Sequence, residues 1–253
     1  MLGMYDMPEI HSANDAIWSA VRSAIGAGPA QLDRSSDFWE IWHSPDLVLG
    51  QTCGLPYRAR LMGQVQKIAT PDYALPGCPP GYYASAFVVR EDSPFRSLTD
   101  LDGALLAFNE GMSQSGWAGP MSKLARQGIR PGGLLETGAH VRSLAAVAAG
   151  RADVTAADMQ TIRLITQSGT MPAGLRQIGA TDPTPGLPYI CAPAQDAGRL
   201  RTALQDAIAL PAAAPLGIAA LVDIPEDVYA AVPTPPAPQD SGLPLRHLSD
   251  EAL

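Results

Sequence analysis

The chain has 253 residues, 46% of them hydrophobic and 17% charged. That composition excludes a wholly disordered chain and is enough for one large buried core or two smaller ones. The formal net charge of −8 and the presence of only two lysines, Lys67 and Lys123, argue against a nucleic-acid-binding or anionic-membrane surface.

Taken in chain order, short apolar strands alternate with helices. Ser12 to Asp15 resembles a capping box and opens a helix with Ile17, Val21, Ala24 and Ile25 on one face, stopped by Gly26 and Gly28. Asp37 caps a second helix carrying Phe38, Ile41 and Trp42. Asp46 to Gln51 reads as a buried strand, with a turn at Thr52 to Pro56. Gln64 to Ala69 and Ala84 to Arg90 read as two more strands, separated by a Pro/Gly-rich loop from Pro76 to Gly81.

A new unit begins near Leu98. Ala104 to Phe108 is a strand, followed by the polar turn Asn109 to Gly116 and a helix that Gly128 ends. Leu134 to Thr137 is the next strand, and Gly138-Ala-His140 leads into a helix with Val141, Leu144, Ala145 and Ala148 inward. Ala152 to Ala157 is a strand, and Asp158 caps the helix from Met159 to Gln167. After the strand Leu175 to Ile178 come an extended proline-stiffened segment, Thr181 to Pro188, the strand Tyr189 to Ala192, and a helix aligning Leu200, Leu204 and Ile208. The Pro-rich tail from Pro233 to Pro244 is expected to wrap the surface. There is no internal repeat.

This alternation predicts parallel sheets covered by helices, with ligands outside the carboxyl ends of strands. The turns at Tyr5, at Gln51 and Thr52, at Asn109 to Gly116 and at Thr137 to His140 are therefore the places to look, together with Asp158. In Met112 to Gly116 two hydroxyls precede a helix, where free backbone N–H groups and partial positive charge bind anions without a lysine; simple N-capping is the alternative. Gly111 to Gly116 has P-loop glycine spacing but Trp117 stands where the lysine belongs, and Ser115 breaks the G-x-S-x-G pattern. His140 suits anion binding or a surface turn equally. Asp158 is either an N-cap or an acceptor for a ligand proton or ammonium group.

The four histidines are scattered without metal-ligand spacing, so no metal or other cofactor is expected. Cys53, Cys78 and Cys191 have no CxxC spacing and read as buried thiols, one bridged pair staying open. The uncharged stretch from 207 to 222 is broken by Pro211, Pro215 and Gly217 and is shorter than the roughly 20 apolar residues that span a bilayer, so no membrane insertion is expected. The first ten residues carry two acids, no base and no apolar signal core. The sequence therefore reads as cytoplasmic or as an export-stripped form.

The order of these motifs resembles the phosphate/phosphonate-type substrate-binding proteins of ABC transporters. Ala107 to Gly116 looks like that family's strand–Ser-x-Ser-Gly–helix anion loop. Glu136 to Leu144 followed by Ala148 to Val154 looks like its T-G-S-H…V-x-x-G-x-A-D segment, with Ala139 in place of the serine. Tyr83 to Arg90 resembles its Y-x-S strand, and Thr184 to Pro188 its return crossing. The resemblance implies an α/β, type II periplasmic-binding-protein fold: lobe one at 1–88 plus 188–253, lobe two at 89–187, two crossings and a ligand cleft between. It implies that Ser113, Ser115 and Gly116, with Gln114 between the serines, hold an anion beside His140. Asp158 would end a strand facing the cleft, and Tyr83 would face it from lobe one. Gln51, Thr52 and Tyr5 are added from topology as lobe-one contacts.

The function so implied is a monomeric, non-enzymatic solute-binding protein that delivers a small oxyanion, such as a phosphonate or phosphate ester, to an ABC permease in the periplasm. The alternatives are a cytoplasmic enzyme on the same fold, akin to chorismate dehydratase or the thiamine pyrimidine-precursor enzymes, and a ligand-sensing domain.

Overall fold

A computed structural model of the chain describes residues 3–249. The chain divides into two compact units, Met1–Tyr82 with Pro185–Ala231, and Tyr83–Thr184 with Val232–Leu253. In chain order the strands are β1 (Gly50–Gln51), β2 (Gln66–Asp72), β3 (Tyr82–Tyr83), β4 (Ser85–Arg90), β5 (Leu105–Phe108), β6 (Gly133–Glu136), β7 (Val154–Asp158), β8 (Leu175–Ala180), β9 (Thr184–Pro185), β10 (Tyr189–Cys191), β11 (Ala220–Val222) and β12 (Leu245–His247). The α-helices are α1 (His11–Ile25), α2 (Phe38–Trp42), α3 (Gly54–Pro56), α4 (Gly119–Arg126), α5 (His140–Ala148), α6 (Met159–Gln167), α7 (Ala197–Ile208) and α8 (Glu226–Ala230).

In the first unit α1 begins at His11 with Ile10 at its N-cap and no side-chain capping bond, so Ser12 to Asp15 lie inside the helix and form no capping box. The helix buries Ile17, Trp18 and Val21, leaves Ala24 exposed, and ends at Gly26 in the left-handed region. Asp37 caps α2, its Oδ1 accepting from the Trp39 N–H at 2.8 Å. The sheet runs β1-β10-β2-β11 with every pairing antiparallel, not parallel as the alternation predicts. β10 is reached through an extended proline-rich segment instead of a crossover helix, and parallel pairing needs such a crossover. The strand expected over 46–51 shrinks to two residues, although Leu47 and Leu49 are buried. The core gathers Trp42, Tyr57, Leu61, Ile190 and Tyr229.

The points where the chain leaves this unit are tied together. The Gly186 N–H donates to the Gly81 carbonyl at 2.8 Å. The Tyr229 hydroxyl donates to the Gly186 carbonyl at 2.9 Å and lies 2.7 Å from the Thr70 hydroxyl. A β-carbon at 186 would sit 2.7 Å from the Gly81 oxygen, so only glycine fits.

The second unit has the sheet order β12-β6-β5-β7-β4-β8. β12, β6, β5 and β7 are parallel, and β4 runs antiparallel to both β7 and β8. Side chains alternate across this sheet. Leu106 and Phe108 of β5 join Trp117 and Leu124 in one core, while Ala107 joins Ala146 and Val147 of α5 in another. α5 turns Ser143, Leu144 and Val147 inward; Val141, expected on that face, is 40% exposed.

The unit boundaries differ from the expected ones over 83–88, over 185–187 and at the tail. The tail groups with the second unit because β12 adds a parallel edge strand to β6, the Trp117 indole N–H donates to the Pro236 carbonyl at 3.1 Å, and the Pro238 ring fills the space beside Gly111. Tyr83, expected to act from lobe one, belongs to the second unit and is buried.

Gly186→Ala tests the knot at the unit exits. It is expected to cost about 1–3 kcal/mol, because backbone must shift to admit the methyl group. Urea denaturation checks this, and an unchanged midpoint would contradict the close packing.

Candidate functional site

The site starts from the parallel pair β5–β6, whose last residues Phe108 and Glu136 are partners. The backbone pairing continues past both strands. The Thr137 N–H donates to the Phe108 carbonyl at 2.9 Å, and the Gly138 N–H to the Asn109 carbonyl at 2.8 Å. The Thr137 hydroxyl also donates to the Phe108 carbonyl at 3.0 Å. Two polar turns are thereby zipped side by side, which brings together residues 25 apart in sequence.

Ser113 is the N-cap of a helical run that opens as a wide turn over Gln114–Ala118 and continues into α4. Its hydroxyl accepts from the Gly116 N–H at 2.9 Å, as an N-cap should. The Ser115 hydroxyl lies 2.8 Å from His140 Nε2 and 3.3 Å from the Ser113 hydroxyl. Gln114 is buried, and its carbonyl accepts from the Gly119 N–H. Gly116 is required sterically: the Asn109 side-chain oxygen occupies the place of a β-carbon at 116, and His140 Cε1 lies 3.2 Å from that place.

Two side-chain atoms here are buried without a hydrogen-bond partner, Asn109 Oδ1 and His140 Nδ1. Burial pushes the His140 imidazole down to about 4, so it is neutral at pH 7. Asp158, at the end of β7, is 2% exposed, and its Oδ1 accepts from the N–H groups of Gln160 at 2.7 Å and Thr161 at 3.0 Å. It caps α6 as read from the sequence. The cluster thus offers hydroxyls, a neutral imidazole and backbone amides, a set suited to holding oxyanions by hydrogen bonds.

The first unit holds its own polar cluster. Tyr5, Gln51 and Thr52 are all buried. The Gln51 amide donates to the Tyr73 hydroxyl and to the Leu187 carbonyl, both at 3.2 Å. Tyr5 meets Tyr73 edge to face at 5.2 Å. The Tyr73 hydroxyl also bonds Tyr189, whose own hydroxyl is pushed up by burial. The Thr52 N–H donates to the Pro188 carbonyl at 3.1 Å.

Sequence reasoning named Asn109 only as the start of a polar turn, and gave no role to Tyr73, the hydrogen-bond partner of Gln51. Asn109 carried a usable signal, being the polar residue immediately after a strand, whereas Tyr73 follows a Pro-Asp pair and reads as loop. Among the described residues no group of three or more His, Cys, Asp or Glu is placed to hold a metal ion. No described helix is long and apolar enough to cross a membrane.

Two α/β units built this way have the fold of the type II periplasmic binding proteins. The chain belongs to the ABC-transporter phosphonate periplasmic substrate-binding family, whose model matches residues 51–229. It is accordingly a solute-binding protein of the ABC-importer class. Solved structures similar to it include the following three. XAC2383 from Xanthomonas citri, bound to ATP, has a TM-score of 0.67 at 19% identity, covering 89% of this chain and 94% of that one. A binding-protein component of an ABC phosphonate transporter from Pseudomonas aeruginosa, PA3383, has a TM-score of 0.67 at 15% identity, covering 90% and 81%. PhnD1 from Prochlorococcus marinus in complex with methylphosphonate has a TM-score of 0.67 at 16% identity, covering 87% and 88%. At these identities the likeness is one of fold. No curated protein matches the chain.

The depressed His140 pKa has a definite sign. The folded state keeps the imidazole neutral while the unfolded chain protonates it near pH 6.5, so stability present above about pH 6.5 is lost as pH falls towards about 4. The loss is expected to reach about 3 kcal/mol at most. Urea denaturation of the wild type and His140→Gln between these pH values should show the flatter profile in the variant. An NMR titration placing His140 near 6.5 would overturn the assignment.

Proposed function

We propose that this protein binds a small oxyanion of the phosphonate or phosphate-ester class at Ser113, Ser115, Gly116 and His140, and hands it to an ABC permease from the periplasmic side. Gln114 and Asp158 shape the same turn region. The first-unit cluster of Tyr5, Gln51 and Thr52, and the buried Tyr83, are kept as candidate contacts. The observation that carries the reading is the zipper from Phe108 and Asn109 to Thr137 and Gly138, which sets the Ser115 hydroxyl 2.8 Å from His140 Nε2 at the head of a capped helix. Family membership supports the class of ligand, and methylphosphonate held by PhnD1 supplies the first probe.

A serine hydrogen-bonded to histidine also suggests a nucleophile with its base, so a catalytic reading has to be weighed. A Ser–His pair works in hydrolysis when a third group orients the imidazole and its pKa lies near the working pH. Here Nδ1 has no partner, and burial holds the imidazole near 4. Both observations favour a binder over an enzyme.

Ser115→Ala and His140→Ala are each expected to weaken methylphosphonate binding by about tenfold to a hundredfold, the range for a hydrogen bond to a charged group. Calorimetric titration measures this, and a thermal-shift panel of phosphate, methylphosphonate and ATP ranks the ligands. Wild-type affinity in both variants, or no stabilisation by any oxyanion, would overturn the site. Turnover of a bound compound would favour the enzyme.

A further inference from the structure

Asn109 stands apart from the donors around it. Its side-chain oxygen is a buried acceptor to which nothing among the described residues donates. It lies against Gly116, in the space that a β-carbon there would fill, with His140 Cε1 bordering the same space. The backbone from which it projects is held in place, since the Asn109 carbonyl accepts from the Gly138 N–H at 2.8 Å. A buried acceptor left unpaired is costly, and such groups in native structures mark places where a partner arrives. An oxyanion whose oxygens are all bare offers it only repulsion between lone pairs, whereas an oxygen that carries a proton satisfies it.

The charge balance points the same way. Among the described residues, the groups hydrogen-bonded to the Ser113 and Ser115 hydroxyls are a backbone amide, each other and the neutral His140 imidazole. No cation is bonded to these hydroxyls to offset a second negative charge on the ligand.

Resting on the oxyanion reading above, we infer that the site takes a singly protonated oxyanion, R–PO3H− or R–O–PO3H−, and that Asn109 reads the proton by accepting a hydrogen bond from the ligand's P–OH. Asn109 is thus a specificity-determining residue. It separates phosphonates and phosphate monoesters from anions of the same shape and charge that lack a hydroxyl. Sites built to pair with a hydroxyl reject analogues without it far more strongly than apolar pockets reject a missing methylene.

The test is an isosteric pair measured at about pH 5.5, where a phosphoryl acid retains its second proton to a large extent. Methylphosphonate as the monoanion and methanesulfonate have the same charge and nearly the same shape, and differ in that one hydroxyl. Calorimetric titration of the full chain is expected to show methylphosphonate binding at least about tenfold tighter than methanesulfonate. In Asn109→Ala the gap is expected to close to about twofold, through loss of methylphosphonate affinity. Equal binding of the two probes by the wild type overturns the inference and leaves the oxyanion site standing. A gap that persists in Asn109→Ala overturns the role given to Asn109. Binding of neither probe overturns the oxyanion reading and this inference with it. The wild-type comparison decides the ligand class without any variant.

Discussion

Two backbone hydrogen bonds, from Thr137 to Phe108 and from Gly138 to Asn109, carry the β5–β6 ladder beyond the residues that count as strand. Each is an ordinary amide–carbonyl hydrogen bond worth about 1 kcal/mol net. Their consequence is geometric. They fix the directions in which two chains leave a sheet, and every later position in both turns is counted from that point. Ser113 and Ser115 follow Asn109 by four and six residues, and His140 follows Gly138 by two. With the starting points locked, the hydroxyl of one turn meets the imidazole of the other. Gly116 is the necessary complement, because the side chain of Asn109 already fills the room beside it.

The zipper is held from behind by packing. Phe108 and Trp117 meet at a ring distance of 5.0 Å, which links the strand before the turn to the helix after it. Trp117 is in turn anchored by its indole N–H on the Pro236 carbonyl, and the Pro238 ring closes on Gly111. On the other side the Thr137 and Ser143 hydroxyls are 2.6 Å apart, joining the second turn to the body of α5. The tail segment then extends the sheet, with Leu248 N–H donating to the Glu136 carbonyl and His247 Nδ1 3.1 Å from the Glu136 carboxylate. The proline-rich segment runs over the surface as its composition predicts, with Pro238 alone buried, and it also supports the turn through Pro236 and Pro238.

The parts legible in the sequence are those set by local chemistry. Asp37 and Asp158 cap the helices assigned to them because a carboxylate before an apolar run satisfies amides only nearby residues can present. Ser113, Ser115 and His140 could be named because the motif order resembled a known family, and the structure brings those three together. What failed was non-local. The antiparallel order of the first sheet depends on where β10 arrives, which no window of sequence contains. β11 and β12, three residues each, are too short to show a period and exist because a partner strand is waiting. The tail's unit is decided by one indole and one short edge strand. Val141 was placed inward by helical spacing, but a small rotation of α5 turns it out and brings Ser143 in. The unpaired oxygen of Asn109 is invisible in sequence, since satisfaction of a polar atom is a property of the packed turn.

In an acidic chain the long-range field and the local field at a turn are separate quantities. The net charge of −8 is spread over a large surface, and salt screens exposed charges beyond about 8 Å at physiological ionic strength. Within the turn the relevant potential comes from oriented dipoles that screening barely reaches: the first amides of the helical run, the Ser113 and Ser115 hydroxyls, and an imidazole that burial keeps neutral. A guanidinium in the same place would strengthen the hold on any anion. It would discriminate poorly, because a full charge attracts every oxyanion that fits, protonated or bare. Neutral donors beside a buried acceptor respond instead to which ligand oxygen carries hydrogen. Selectivity can then come from the pattern of donors and acceptors, with an attraction weak enough for the ligand to leave again.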